Sequence, residues 1–191
     1  MERQDGLKGK LRITVSPDRI GVLIGSKGNV KKMVEEDLNV KINVDSTTGV
    51  VEIEPKPGAD ITRVLKARDF VRAIAYGFSP KRALRLLDEM QTLEVIDLKE
   101  FYRRREDLVR VKGRIIGESG KARRMIEEMA GAGISIYDHY VAIIGDFEQA
   151  RIAREAVLML INGRQHRTVY NFLKAKNAEL KRREWGLWLP S

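Results

Sequence analysis

The sequence predicts an α+β protein built from two copies of one small domain, each with a three-stranded sheet backed by helices. The first observation is an internal repeat: residues 22–36 read VLIGSKGNVKKMVEE and residues 114–128 read RIIGESGKARRMIEE, with six of fifteen positions identical. The second observation is that the alternating apolar residues of the predicted strands recur at nearly the same offset of 92 residues. Repetition at a fixed spacing indicates that one structural unit is duplicated.

The first copy is predicted to follow the order β-α-α-β-β-α. Leu11, Ile13 and Val15 alternate on one face of a strand, and Ser16-Pro17 is typical of a helix start. The predicted elements are a strand at 8–15, helices at 17–24 and 29–37, strands around 40–44 and 51–53, and an amphipathic helix at 59–78.

The second copy repeats this order. Its last two strands follow those of the first copy by 92 and 90 residues, so the turn between them is two residues shorter. The predicted elements are a strand at 93–98, helices at 106–116 and 121–129, strands around 134–136 and 141–143, and a helix at 146–162, with an extra helix at 80–90 joining the copies. We therefore predict domains at 1–79 and 80–163, the second with its preceding linker helix, and a basic helical tail at 164–191.

Composition narrows the class of protein. Of 191 residues, 43% are hydrophobic and 33% are charged, and no apolar run approaches the ~20 residues that span a bilayer. We expect no membrane association and a cytoplasmic location, because residues 1–10 do not resemble a signal peptide. The absence of cysteine excludes disulfides and thiolate metal sites. A net charge of +9 favours a polyanionic partner.

Each copy carries a Gly-x-x-Gly turn between two helices, at Gly25–Gly28 and at Gly117–Gly120. Such a turn leaves backbone N–H groups unpaired at the start of the second helix, where the helix dipole also attracts a phosphate. Glycine removes the Cβ atom, so a sugar–phosphate backbone can approach closely. A duplicated turn of this kind in a basic chain indicates a clamp for single-stranded nucleic acid.

Both halves resemble KH domains, which hold about four nucleotides on a Gly-x-x-Gly turn. The strand that precedes the two helices resembles the type I arrangement. Three runs are also similar to the archaeal small-subunit assembly factors known as "partner of Nob one": EVIDLKE (94–100), DLVRVKGRIIGESGK (107–121) and GDFEQARIAREAVLMLINGRQHRTVY (145–170). That resemblance implies binding to small-subunit pre-rRNA near its 3′ end and a partnership with the Nob endonuclease. A translation initiation factor is a further expected partner.

The predicted RNA-binding residues are the turns, the cations beside them and an aliphatic surface for the bases. In the first half they are Ile24, Gly25, Ser26, Lys27, Gly28, Lys31, Lys32 and Ile42. In the second half they are Arg114, Ile116, Gly117, Ser119, Gly120, Lys121, Arg123, Arg124 and Ile134. Glu118 departs from the family pattern. Its carboxylate lies in the turn and is expected to repel a phosphate there. The first turn is better suited to bind a phosphate, because Lys27 places an ammonium group within it.

We predict no catalytic activity, no cofactor and no metal site. His139 and His166 are the only histidines, and the residues before Gly120-Lys121 do not form a nucleotide-binding loop. Glu35-Glu36 and Glu127-Glu128 are interpreted as solvated helix faces. Arg103–Arg105 is interpreted as a solvated basic run, with the alternative that it tracks phosphates near a KH groove.

Alternatives remain. The chain could serve as the RNA-binding part of a ribonuclease, or as an adaptor for mRNA or a translation factor. The tail, which contains Trp185 and Trp188, could either dock on the body or form a basic arm with an aromatic anchor for RNA or protein.

Overall fold

The computed structural model describes residues 10–186, with side chains described as far as Arg182. The chain divides into two compact units, residues 1–89 and 90–191. Each unit contains one three-stranded antiparallel sheet and the helices that pack on it. The α+β fold class and the β-α-α-β-β-α order of both copies are confirmed.

In the first unit the strand order is β1-β3-β2, so the last strand of the copy lies in the middle of the sheet. Ile13 lies opposite Val51, and Ile42 opposite Ile53. The elements are β1 (Leu11–Thr14), α1 (Pro17–Ile24), α2 (Asn29–Asp37), β2 (Val40–Val44), β3 (Val50–Pro55), α3 (Ile61–Ala75) and the short α4 (Pro80–Ala83), which continues into a 3-10 turn at Leu84–Leu87.

The alternation of β3 sorts its side chains between the core and the outer face of the sheet. Val51 and Ile53 are fully buried beneath α3. Glu52 and Glu54 point the other way, and Glu52 forms an ion pair with Arg12, the residue opposite it on β1, at 2.7 Å. This period-two pattern, with one buried and one charged face, is what the sequence predicted.

In the second unit the order β4-β6-β5 repeats the topology of the first. Asp146 begins the last helix of the repeat with a capping box, since its carboxylate accepts from Gln149 N (2.8 Å) and its N–H donates to Gln149 Oε1 (3.1 Å). The elements are β4 (Gln91–Asp97), α5 (Arg105–Ile116), α6 (Lys121–Ala130), β5 (Gly133–Tyr137), β6 (Tyr140–Asp146), α7 (Phe147–Ile161) and α8 (His166–Gly186).

The segment between the copies differs from the single helix predicted at 80–90. It is one turn of α-helix followed by a 3-10 turn, and it packs on α3 within the first unit. Ala83 and Leu86 are fully buried there, and Lys66 Nζ donates to the Asp88 carbonyl at 2.7 Å. These contacts place residues 80–89 with the first unit, which differs from the predicted domain boundary at residue 80.

The last helix, α8, belongs to the body of the second unit for at least its first turns. Val169 and Leu173 are fully buried against α6 and α7. The sequence predicted that the folded repeat ends at Gly163, and the chain does turn there, with φ of 85°. The prediction concerning Trp185 and Trp188 falls on residues whose side chains lie outside the described part of the structure.

Candidate nucleic-acid interface

The two Gly-x-x-Gly turns have the same backbone conformation. At each of the three positions with positive φ, the corresponding dihedral angles agree within 4°. The φ/ψ values are 73/176° at Gly25 and 72/174° at Gly117, 53/25° at Lys27 and 49/28° at Ser119, and 79/11° at Gly28 and 77/13° at Gly120. The repeat seen in the sequence is therefore a repeat of one local structure.

The two glycines of a turn have different surroundings. A Cβ atom on Gly25 would lie 2.4 Å from Val30 Cγ2, and one on Gly117 would lie 2.6 Å from Ala122 Cβ. The first glycine is thus required so that the turn can pack on the helix that follows. By contrast, the nearest atom to a Cβ on Gly28 is the end of the Lys32 side chain, at 4.0 Å. The second glycine therefore lies in the open, where a phosphate can approach.

Hydrogen-bond donors collect at the turns. Gly28 N donates to Gly25 O at 3.2 Å, and Gly120 N donates to Gly117 O at 3.1 Å. Within residues 10–186, the N–H groups of the two intervening residues have no hydrogen-bond partner in either turn, and no side chain caps α2 or α6. Unpaired N–H groups at the start of a helix form an anion-binding site.

The predicted cations fall into two groups. Lys27, Lys32, Lys121 and Arg124 are exposed. Arg124 extends over the second turn, with Nη1 3.1 Å from the position of a Cβ on Gly120. These four side chains can meet a phosphate without breaking an ion pair, because none of them forms one within the described residues.

The other three predicted cations are engaged within the protein. Arg114 donates to the carbonyls of Gly163 and Arg164, both at 2.7 Å, so it fastens the loop between α7 and α8. Lys31 Nζ lies 3.0 Å from Glu35 Oε2, and Arg123 Nε lies 3.8 Å from Glu127 Oε2. The structure therefore reduces the predicted basic surface beside the turns.

The predicted aliphatic surface is also smaller than expected. Ile24 and Ile116, which directly precede the turns, are half-buried and reach the surface. Ile42 and Ile134 are 1% and 0% exposed, because their side chains point into the core beneath the sheet. They do not offer a face to a nucleobase, and this part of the sequence prediction is corrected.

Two acidic residues interpreted as solvated have structural roles. Glu35 Oε1 accepts from the backbone N–H of Ile42, and Glu127 Oε1 accepts from that of Ile134, both at 2.7 Å. Each carboxylate thus fastens the helix after the turn to the edge strand of its sheet. Their identity in the two copies was the signal that could have revealed this role. Glu36 and Glu128 are exposed, as predicted.

Other kinds of site are not evident in the part of the chain described. Across residues 10–186, no three His, Cys, Asp or Glu side chains are grouped so that they could hold a metal ion. In the same range, no helix combines the length and apolar character needed to cross a bilayer. His139 contacts Asp138 at 2.7 Å, and His166 Nε2 lies 2.9 Å from the Arg114 carbonyl, so both histidines take part in local structure.

Fold and turns together define two KH domains. Residues 10–73 match the family described as KH domain, and residues 92–178 match the eukaryotic-type KH domain, type I, of the second PNO1 domain. KH domains are a common class of RNA-binding module.

Comparison with known proteins identifies the family. The chain is 44% identical over 176 residues to the KH domain-containing protein MJ0443 of Methanocaldococcus jannaschii, covering 92% of this chain and 78% of that protein. It is 30% identical to the pre-rRNA-processing protein PNO1 of Coccidioides immitis, covering 90% and 69% respectively. The chain therefore belongs to the archaeal branch of the partner-of-Nob-one family, also called Dim2.

A solved structure agrees with this assignment. The chain is similar to the Dim2p subunit in the crystal structure of an a/eIF2alpha–aDim2p–rRNA complex from Pyrococcus horikoshii. The TM-score is 0.84 and the sequence identity is 44%, covering 89% of this chain and 94% of that chain.

Proposed function

We propose that this chain binds single-stranded RNA on its Gly-x-x-Gly turns, and that the RNA is small-subunit pre-rRNA whose processing it assists. The observation that carries the proposal is the pair of turns with matching backbone, unpaired N–H groups and exposed cations. The names of relatives support the RNA class, since one is a pre-rRNA-processing protein and another was crystallised with rRNA.

The first turn offers the unpaired N–H groups of Ser26 and Lys27 and two exposed ammonium groups, those of Lys27 and Lys32, and the Lys32 side chain ends 4.0 Å from the position of a Cβ on Gly28. A phosphate placed there is held by charge-assisted hydrogen bonds, which are stronger than those between neutral groups. The adjoining base lies against the exposed part of Ile24.

The two turns differ in the charged groups that they present to a phosphate. Glu118 brings a carboxylate into the second turn, at the position that Ser26 holds in the first. The cations near the second turn, Lys121 and Arg124, lie on the helix after it rather than within the turn. We infer that the first turn makes the stronger phosphate contact.

The test is replacement of the two central residues of the first turn, Ser26→Asp with Lys27→Asp, followed by measurement of RNA affinity. Two carboxylates in place of a hydroxyl and an ammonium repel phosphate, so affinity for single-stranded RNA falls while the circular dichroism spectrum is retained. Thr62→Asp with Arg63→Asp, at exposed positions of α3, is a control with the same change in charge. Equal affinity of the two double variants at moderate salt would exclude the first turn as the binding site.

The salt dependence gives a second reading of the same contact. Loss of one phosphate contact from a single strand reduces the slope of log K against log salt by about 0.7. We expect this change for Lys27→Ala and none for Arg63→Ala.

The role near the 3′ end of the rRNA and the partnership with a Nob-type endonuclease are proposed from the family resemblance. In this proposal the chain presents the RNA and the partner cleaves it. Purified chain mixed with pre-rRNA is expected to leave the RNA intact, and addition of the endonuclease is expected to produce the cut. Cleavage by the chain alone would support the ribonuclease alternative.

A second candidate role is that of an adaptor for a translation initiation factor. It is supported by the similar chain that was crystallised with a/eIF2alpha as well as rRNA. We expect the purified α subunit of the factor to bind this chain in a pull-down without RNA. Failure to bind would remove the adaptor role and leave the RNA-binding role in place.

A further inference from the structure

The second unit contains a surface that the first unit lacks. In the first unit two residues connect β1 to α1, whereas in the second unit residues 98–104 connect β4 to α5. Helix α5 has 12 residues and α1 has eight, so α5 begins one turn earlier relative to its Gly-x-x-Gly turn. This insertion, residues 98–104, places a stretch of chain at the end of α5 remote from Gly117.

Internal contacts hold the insertion in place. Leu98 is fully buried, and its N–H donates to the His139 carbonyl at 2.9 Å. Asp97 accepts from Lys99 N at 2.8 Å. The Tyr102 hydroxyl donates to the Ile161 carbonyl at 2.7 Å. The insertion is therefore fixed to other parts of the second unit at Leu98 and at Tyr102.

The side chains that the insertion presents to solvent are basic and aromatic. Phe101 is 43% exposed, and Arg103, Arg104 and Arg105 are all exposed. Within residues 10–186, none of these three guanidinium groups takes part in an ion pair or hydrogen bond. Residues 98–106 carry four cations and two carboxylates. We call Phe101 with Arg103–Arg105 the arginine cluster.

The position of these arginines is unfavourable for folding. Arg104 is the N-cap of α5 and makes no side-chain cap, although Ser, Thr, Asp or Asn stabilises that position. Arg105 adds a cation at the positive end of the helix dipole, which raises the free energy of the folded state, whereas Glu106 and Asp107 in the same turn lower it. Arg104 and Arg105 lower the stability of the fold and, within the described residues, make no internal contact that compensates for this loss, which indicates that they have a role in binding.

An exposed stripe joins the cluster to the second turn. Arg105, Val109, Gly113 and Ile116 follow one another at intervals of three or four residues, so they share one face of α5. Val109 is 59% exposed, and a Cβ on Gly113 would meet no atom within 4 Å. The stripe leads from Arg105 to Gly117 over about 18 Å.

Resting on the proposed RNA-binding function, we propose that RNA held at the second turn continues along this stripe to the arginine cluster. There, guanidinium groups bind phosphates and the Phe101 ring stacks on a base, which are the contacts typical of single-strand binding. The cluster supplies the positive charge that Glu118 removes from the turn. The combination of an exposed ring with three free guanidinium groups favours RNA over an acidic protein as the occupant.

The test compares two single strands from the 3′ end of small-subunit rRNA, of 5 and 12 nucleotides. The shorter strand fills a KH clamp, and the longer one can reach the cluster. Arg103→Ala with Arg104→Ala and Arg105→Ala is expected to weaken binding of the 12-mer and to reduce its salt slope by about 2, leaving the 5-mer unaffected. The control, Arg63→Ala with Lys81→Ala and Arg85→Ala, removes the same charge from exposed positions of the first unit.

Phe101→Ala separates stacking from charge. We expect a loss of 12-mer affinity of about fivefold or more with an unchanged salt slope, and recovery in Phe101→Tyr. If the cluster variant and its control bind the 12-mer equally, the inference is overturned. Equal binding is the result expected if the arginine cluster binds an acidic protein in place of RNA. If the unaltered chain binds neither strand, the proposed function itself fails, and the two failures are thereby distinguished.

Discussion

At the scale of single residues, the first and second glycines of each turn serve different purposes. Gly25 leaves room for Val30 on the following helix, and a Cβ there would approach its side chain to 2.4 Å. Gly28 has a φ of 79° in open surroundings. The spacing of glycines predicted the turn, but it could not separate packing from phosphate approach, because the two depend on neighbours that only the fold supplies.

This difference predicts unequal losses of stability. Gly25→Ala combines a positive φ with a collision, and we expect it to lower the free energy of unfolding by about 2 kcal/mol or more. Gly28→Ala pays only the strain of a left-handed conformation, about 1–2 kcal/mol. Urea unfolding followed by circular dichroism measures both. A larger loss for Gly28→Ala would contradict the packing role of Gly25.

Glu118 is the residue that most separates the two turns. Its replacement by lysine puts an ammonium where the carboxylate repels phosphate, so RNA affinity is expected to rise and the salt slope to increase by about 0.7. Glu128→Lys, at an exposed position of α6, makes the same change in charge away from the turn. Unaltered or weaker affinity in Glu118→Lys, measured by fluorescence anisotropy, would show that the second turn does not meet phosphate.

At the scale of secondary-structure elements, each helix after a turn is joined to the edge strand by one carboxylate. Glu35 accepts the N–H of Ile42, and Lys31 donates to the Ile42 carbonyl at 3.2 Å as well as to Glu35. Both outward backbone groups of that residue are thus satisfied by side chains of α2. The arrangement keeps the turn at a fixed position above the sheet.

Adjacent glutamates provide a matched test of this role. Glu35→Ala leaves the Ile42 N–H without its partner and is expected to cost about 1–3 kcal/mol of unfolding free energy. Glu36→Ala removes an exposed side chain and is expected to change stability by less than about 0.5 kcal/mol. Denaturant unfolding of the two variants measures the difference. Equal stabilities would contradict the role given to Glu35.

Helix α8 packs into the second unit more extensively than the sequence indicated. Its basic composition suggested a tail, yet Leu173 is fully buried in the second unit. Leu173→Ala leaves a cavity and is expected to lower the free energy of unfolding by about 2–5 kcal/mol. Lys174→Ala, at the exposed neighbouring position, is expected to have little effect. A similar effect of both substitutions on the unfolding midpoint would place α8 outside the core.

Element order was predictable, because alternation and helical periodicity depend on neighbours in sequence. Contacts between residues that are distant in the chain were not predictable. Arg114 was predicted to bind RNA, but it donates to carbonyls about 50 residues later. Ile42 was predicted to face the bases, and only the direction of the sheet decides that it faces the core. The cations of the site were identified from their positions beside the turns in the sequence, whereas the structure was needed to show which of them are free of internal ion pairs and hydrogen bonds.

At the scale of the whole molecule, the two copies of one structural unit differ around their turns. The first copy has a lysine in its turn, while the second has an acidic turn, a longer helix before it and an arginine cluster at that helix's far end. Family membership agrees with two KH domains, because the relatives match along most of the chain. We interpret these differences as two different ways of contacting RNA, one by the lysine-containing first turn and the other by the second turn together with the arginine cluster.

The most direct test of the central claim is crosslinking of the protein to RNA in cells, followed by sequencing of the bound RNA. We expect reads from small-subunit rRNA, concentrated toward its 3′ end, and we expect these reads to be lost in the variant with Ser26→Asp and Lys27→Asp. Recovery of mature mRNA in place of small-subunit rRNA, or equal recovery by the variant, would contradict it.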